Sequence, residues 1–407
     1  MESGSSTTEP ATPRLLDRLA WFRRRTADLA YDYLRPARFR PVSIARTVRD
    51  LAADPAGAFR FFVPGAEASV AWAEEANKLE IYLLVSQSAL VLGLPVRPPV
   101  PLPPYVQRAY AGSSFRALWL VEGLGNDWTD VAWDDLARPP RGLLGGGDAQ
   151  DVVEESLLML HAGLGLAVGR RVFRRLRDDA GEEDLQGAAA QAVTLCESNA
   201  RRGYTGAALE SLGLAARMFY PWCVTGLGEA LERIGDYADF FWHGVGRAVY
   251  FLPASFLPCG HNTWRNLRMI AAEVPAGRPR LNAIAGLAWA VTLVNQRHPQ
   301  VMADFVDRHG GDLTTGGAWS NGVASAVVMR QATTPDAPFT GAFCGYRHPG
   351  TSWQAIVAGP CRSALDTLYP RLAAAGRLWE VFRYHPPSYW SRIPGNVGAA
   401  GTPDGVE

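Results

Sequence analysis

Lysine is almost missing from this 407-residue chain: Lys78 is the only one, so thirty-nine of the forty basic residues are arginine. Covalent Schiff-base chemistry would therefore have to use Lys78. A phosphate-cradling GxxxxGK[ST] loop is absent too. Net charge is lacking, because forty acidic residues cancel the forty basic ones. That balance argues against nucleic acid or an anionic membrane surface as the main partner. The five cysteines, Cys196, Cys223, Cys259, Cys344 and Cys361, never form a CxxC pair. With no secretory apolar segment near Met1, the expectation is a reduced, cytoplasmic protein. The longest apolar run, 81–96, is broken by Gln87 and Ser88 and is too short for a membrane span. It reads as a buried helix.

What the chain does have is apolar content, at 48%, and glycine inside helical patterns. Strand-like alternation is nearly absent from 151–331, and the pattern predicts an all-α fold of repeated helical hairpins around a central cavity. Small-residue helical segments recur at His161, Tyr204, Trp242, Ala283 and Thr315, roughly every 30 to 45 residues. Helical glycine costs about 0.5–1 kcal/mol relative to alanine. Its repeated use implies either close backbone packing or room for a ligand. The organisation predicted is a disordered tail (1–12), an N-terminal helical subdomain (13–94) and a Pro/Gly-rich connector (95–150). A helical-repeat domain (151–390) and a second disordered tail (391–407) follow. Within the connector, the prolines of 95–104 predict polyproline II, and 116–123 fits a strand or a helix turn. Residues 352–358 are compatible with a short strand.

The segment 240–251 concentrates aromatic residues, glycines, an imidazole and a guanidinium. As a helix it puts Trp242, Gly246 and Val249 on one face, and His243, Arg247 and Tyr250 (or Phe251) on the next. Such a stripe can bind an anion and handle a proton, or it can be ordinary polar packing. His243, Arg247 and Tyr250 are the candidate catalytic residues, with His243 as the proton handler. Cys259 and His261 lie two apart, but no second pair completes a zinc set, so Asn262 or Thr263 reads more simply as a helix cap. Trp242, His261, Trp264, Trp319, Asn321 and His161 are candidate substrate-binding residues, the amide of Asn321 orienting an apolar ligand beside Trp319. Asp130, Asp134 and Asp135 form a carboxylate cluster that would suit Mg²⁺ in a terpene-type cyclase. Asp178 to Asp184 reads as a solvated loop.

Two segments together carry a family resemblance. The run 243–251 (HGVGRAVYF) with 286–290 (GLAWA) resembles the glycine-rich pattern of UnbL-type proteins. Residues 316–344 are similar to the alanine-rich helix and cysteine close of that family, with Phe339 where the family has histidine. The match spans about 239–344. It implies a place in enediyne polyketide biosynthesis and supplies no catalytic residues. The function expected is binding, and rearrangement or cyclisation without an organic cofactor, of a hydrophobic polyene in an aromatic-lined helical pocket. A polyketide synthase or carrier protein would be the partner. Two alternatives stay open: a Mg-dependent terpene-type cyclase or lyase, and a non-catalytic helical-repeat scaffold that docks a synthase.

Overall fold

The computed structural model describes residues 65–94, 100–134, 139–256, 262–313, 315–335 and 337–390, with isolated positions before residue 65. The expected disordered tails, most of the expected N-terminal subdomain, residues 95–99 and His261 lie outside the described residues. Within them the chain is helical and contains no strand. The all-α class read from the periodicity is therefore the fold.

The helices are α1 (Ala66–Ser86), α2 (Ser88–Leu92), α3 (Pro103–Tyr110), α4 (Ser114–Asp134), α5 (Glu154–Phe173), α6 (Glu182–Asn199) and α7 (Thr205–Phe219). They continue as α8 (Val224–Ile234), α9 (Ala238–Tyr250), α10 (Asn262–Glu273), α11 (Arg278–Asn295), α12 (Pro299–Leu313), α13 (Ala318–Thr333) and α14 (Pro338–Cys344). Helix α15 covers 351–374 and contains two π-type turns, Gln354–Ala358 and Ala364–Leu368, and a short last helix, α16, spans Pro387–Trp390. Residues 352–358, compatible with a strand by composition, lie in α15.

The span expected as a connector carries α3 and α4. Pro103 and Pro104 fall at the first helical positions of α3, where a missing N–H costs nothing. Residues 116–123 are one part of the long helix α4, and Phe115, Leu118, Trp119 and Val121 are all buried. Alternation over eight residues could not separate a strand from a buried helix.

From α5 onward, inner helices (α5, α7, α9, α11, α13) alternate with outer ones (α6, α8, α10, α12), and consecutive inner helices pack side by side. The inner helices run in one direction. Gly165 meets Ala208 while Gly169 meets Leu212 and Ala215, so α5 and α7 advance together. Asp239 accepts from Asn282 near the start of α9 and α11, and Asn295 donates to Tyr250 near their ends. Each outer helix returns the chain so that the next inner helix can repeat the direction. Helix α4 extends the row beyond α5.

Glycine sets the spacing. A Cβ on Gly213 would lie 1.8 Å from the Phe241 carbonyl oxygen, and one on Gly244 would lie 1.8 Å from that of Glu210. Gly246 and Gly286 meet the Ala283 and His243 carbonyls in the same way, and Gly163 meets that of Glu122. These are backbone atoms, which cannot rotate aside. Close packing is thus the use made of the helical glycines between the inner helices. Helix α1 lies along the ends of α9 and α11. Glu74 accepts from the Tyr250 hydroxyl, Asn77 donates to Asn295, and the Lys78 ammonium donates to the Ser255 carbonyl at 2.5 Å.

Two glycine substitutions separate spacing from propensity. Gly187 in α6 is exposed and a Cβ there meets nothing within 4 Å. Gly187→Ala is expected to stabilise by about 0.5–1 kcal/mol. Gly244→Ala is expected to destabilise by about 3 kcal/mol or more, beyond ordinary overpacking. Urea unfolding of both variants checks this, and equal behaviour of the two would refute glycine-limited spacing.

Candidate functional site

Four ionisable side chains meet in the middle of the row. Arg247 Nη2 reaches both oxygens of Glu122 on α4, at 2.5 and 2.6 Å, and its Nη1 donates to Glu210 Oε2 on α7 at 3.1 Å. His243 Nδ1 lies 3.4 Å from Glu210 Oε1, and the Ser211 hydroxyl donates to Glu210 as well. All four charged or titratable groups are buried. The Arg247 guanidinium also lies 5.0 Å from the Trp289 ring centroid. The His243 ring is flanked edge-on by Trp289 and Phe382, and its Nε2 has no partner.

The glycine contacts assemble this cluster. The carbonyl oxygens of Glu122, Glu210 and His243 are the atoms against which Gly163, Gly244 and Gly286 press. On α9, His243 and Arg247 are four residues apart and share one face, so both reach Glu210 across the tight α7–α9 contact.

One guanidinium stands between two buried carboxylates. With both acids ionised and the imidazole neutral, the cluster would hold a net negative charge away from water, which is costly. Burial pushes the Glu122 carboxyl above its usual range, more strongly than Arg247 pulls it down. Glu210 is also desolvated, but Arg247 and His243 together hold it below the usual carboxylate range. Burial lowers the His243 pKa despite Glu210 beside it, while the two carboxylates raise that of Arg247 against desolvation. The cluster thus favours the ionised forms of Glu210 and Arg247, while burial disfavours the charged forms of His243 and Glu122 relative to their ordinary values.

Glu122 and Arg247 line a cavity of about 70 Å³. The rest of its wall is mostly apolar: Ile81 and Val85 from α1, Trp119 from α4, Leu166 from α5, Leu214 and Met218 from α7, and Phe251 just after α9. Tyr82, Val85 and Ser86 are half-buried, so the α1 side is where the cavity nears solvent. Asn126 also faces it, and its Oδ1 has no partner.

The other candidates from the sequence lie apart. Tyr250 points to α1 and α11, bonded to Glu74 and Asn295, and Phe251 reaches the cavity instead. Trp242 packs its ring on Gly228 of α8, away from the cavity. Trp319 packs against Phe305 of α12 at 5.0 Å between centroids, and Asn321 donates to the His385 carbonyl. His161 is held by Leu157 O and by the Arg201 N–H at 2.6 and 2.8 Å, and stacks on Tyr204. Trp264 belongs to α10, and its side chain lies outside the described residues, as do His261, Asp135 and the side chain of Asp134. Asp130 accepts from Arg170 and Arg171, at 3.4 and 2.7 Å. Among the described residues no group of three His, Cys, Asp or Glu is placed to hold a metal. Nor is any described helix long and apolar enough to cross a membrane.

Sequence reasoning singled out His243 and Arg247 but passed over Glu122 and Glu210. Their signal was available: each is a lone carboxylate in a long apolar helical stretch, 117–125 and 206–216. No family model, curated protein or solved structure matches the chain.

The packed role of His161 makes a pH prediction. Burial lowers its pKa from 6.5 to about 4. The native state therefore binds fewer protons than the unfolded chain between those values. Its contribution is fully present above pH 6.5 and is lost as pH falls toward 4, on the order of 3 kcal/mol. Unfolding free energies measured by urea from pH 7 to 4.5 should fall more steeply for the wild type than for His161→Gln. Parallel curves would contradict a neutral, buried His161.

Proposed function

We propose that the protein binds a small unsaturated apolar ligand in the cavity between α1, α4, α5, α7 and α9, and transfers a proton to it from Glu122. The observation that carries this reading is a fully buried carboxyl on a mostly apolar cavity wall, where burial raises its pKa. Glu122 is the acid. It gives its proton to one alkene carbon, Arg247 neutralises the carboxylate left behind, and that carboxylate takes a proton from a neighbouring carbon of the cation, which shifts the double bond and restores the acid. An acid of this kind initiates isomerisation or cyclisation of an alkene without an organic cofactor.

An engineered apolar cavity of about 150 Å³ takes benzene, so the hollow of about 70 Å³ takes a fragment of only a few heavy atoms. A longer polyene would enter from the α1 side, where Tyr82, Val85 and Ser86 are half-buried. The resemblance of 239–344 to UnbL-type proteins supports a polyketide-derived polyene as that ligand, delivered by a synthase or carrier protein. The engagement of Asp130 by two arginines speaks against a metal-dependent cyclase. A docking scaffold needs an open inner face, whereas α9 is buried at every residue.

The test uses 1,3-butadiene, four heavy atoms, in deuterated buffer. Wild type should be stabilised thermally by the diene and should place deuterium in it. Glu122→Gln should bind it and incorporate no deuterium, while Leu214→Trp, which fills the cavity, should do neither. Binding without deuterium in the wild type would overturn the proton transfer, and absence of binding would overturn the ligand site.

A further inference from the structure

A second buried charge, at the other end of α13, lacks a counter-ion. Arg330 is fully buried, and its guanidinium meets only neutral acceptors. These are Gln296 Oε1 at 3.2 Å and the carbonyls of Phe115 and Leu293, each at 3.4 Å. The rings of Phe115 and Phe339 cover it, with centroids 5.2 and 5.1 Å away. No carboxylate of the described residues pairs with it.

The surroundings add positive charge. Arg297 lies 3.6 Å over the same Phe115 ring. Glu80 pairs with Arg297 and with Arg116, so the carboxylate that serves one of the two guanidiniums over Phe115 is already shared. Burial first, then the Arg297 charge, bring the Arg330 pKa down to about 9, which leaves it cationic at neutral pH. Buried charges are normally paired. The carbonyl end of α11 supplies about half a negative charge, which falls short of the excess.

An unused hydrogen-bond donor lies beside this guanidinium. Gln296 turns its Oε1 to Arg330, and its buried Nε2 has no partner. A guanidinium without a counter-ion and an amide N–H without an acceptor therefore stand together.

We propose that Arg330 and Gln296 form a buried binding site for a small monovalent anion, chloride or a carboxylate the size of formate. The anion accepts from Gln296 Nε2 and neutralises Arg330, joining the ends of α11 and α13. The site is separate from the Glu122 cavity, and its occupancy is read in stability.

Thermal unfolding in sodium chloride, sodium formate and sodium gluconate at one fixed ionic strength tests this. Gluconate is too large for the site. Chloride or formate should raise the wild-type melting temperature, saturably, by about 2 °C or more relative to gluconate. Arg330→Met should abolish the difference. Gln296→Leu, which keeps the charge and the helix, should raise the half-saturating anion concentration at least about tenfold, and it carries the test if Arg330→Met does not fold. Equal melting in all three salts, or an undiminished chloride response in Gln296→Leu, would overturn the site and leave helix carbonyls as the only compensation.

Discussion

The structure depends on helix backbones that touch. Between α5 and α13 the closest points are glycines set against carbonyl oxygens of the neighbouring helix, at separations no Cβ could occupy. The row gives up some helix propensity at each glycine and gains contact between main chains, and the fixed spacing then determines which side chains can meet. Three of the carbonyls touched belong to Glu122, Glu210 and His243. Backbone packing and the placement of charge are therefore one constraint.

From that placement the electrostatics follow. Arg247 spans two carboxylates on different helices, and a single guanidinium neutralises only one of them. Glu210 has a second donor nearby in His243, whereas Glu122 faces an apolar hollow. The asymmetry raises the Glu122 pKa while that of Glu210 is lowered. Removing water from around Glu122 disfavours its ionised form and keeps solvent from competing for the proton. Lys78, the only lysine, takes no part. Its ammonium is spent on Glu75 and the Ser255 carbonyl, which tie the turn after α9 to α1.

Much of the fold was legible in the residues because helical periodicity survives glycine substitution. The alternation of inner and outer helices was visible as a repeat, and the segment 240–251 lies near its middle. What the residues did not disclose was direction around each helix. Trp242 and Tyr250 look like pocket residues by composition, but one packs on Gly228 and the other bonds to Glu74 and Asn295. A four-residue spacing correctly joins His243 to Arg247, while their partners come from helices more than thirty residues away. Glu122 fell in a stretch too short to separate strand from helix, so its position on a buried face could not be read. Pairings of that kind are set by tertiary packing, which a single chain's pattern does not encode.

The central claim is that Glu122 keeps its proton on the cavity wall at neutral pH. Infrared difference spectroscopy of wild type against Glu122→Gln measures this directly. A protonated-carboxyl stretch present in the wild type at pH 7 and missing from the variant is the predicted result. If the wild type shows only ionised carboxylate at that pH, Glu122 is a plain partner of Arg247, and the acid–base account is wrong.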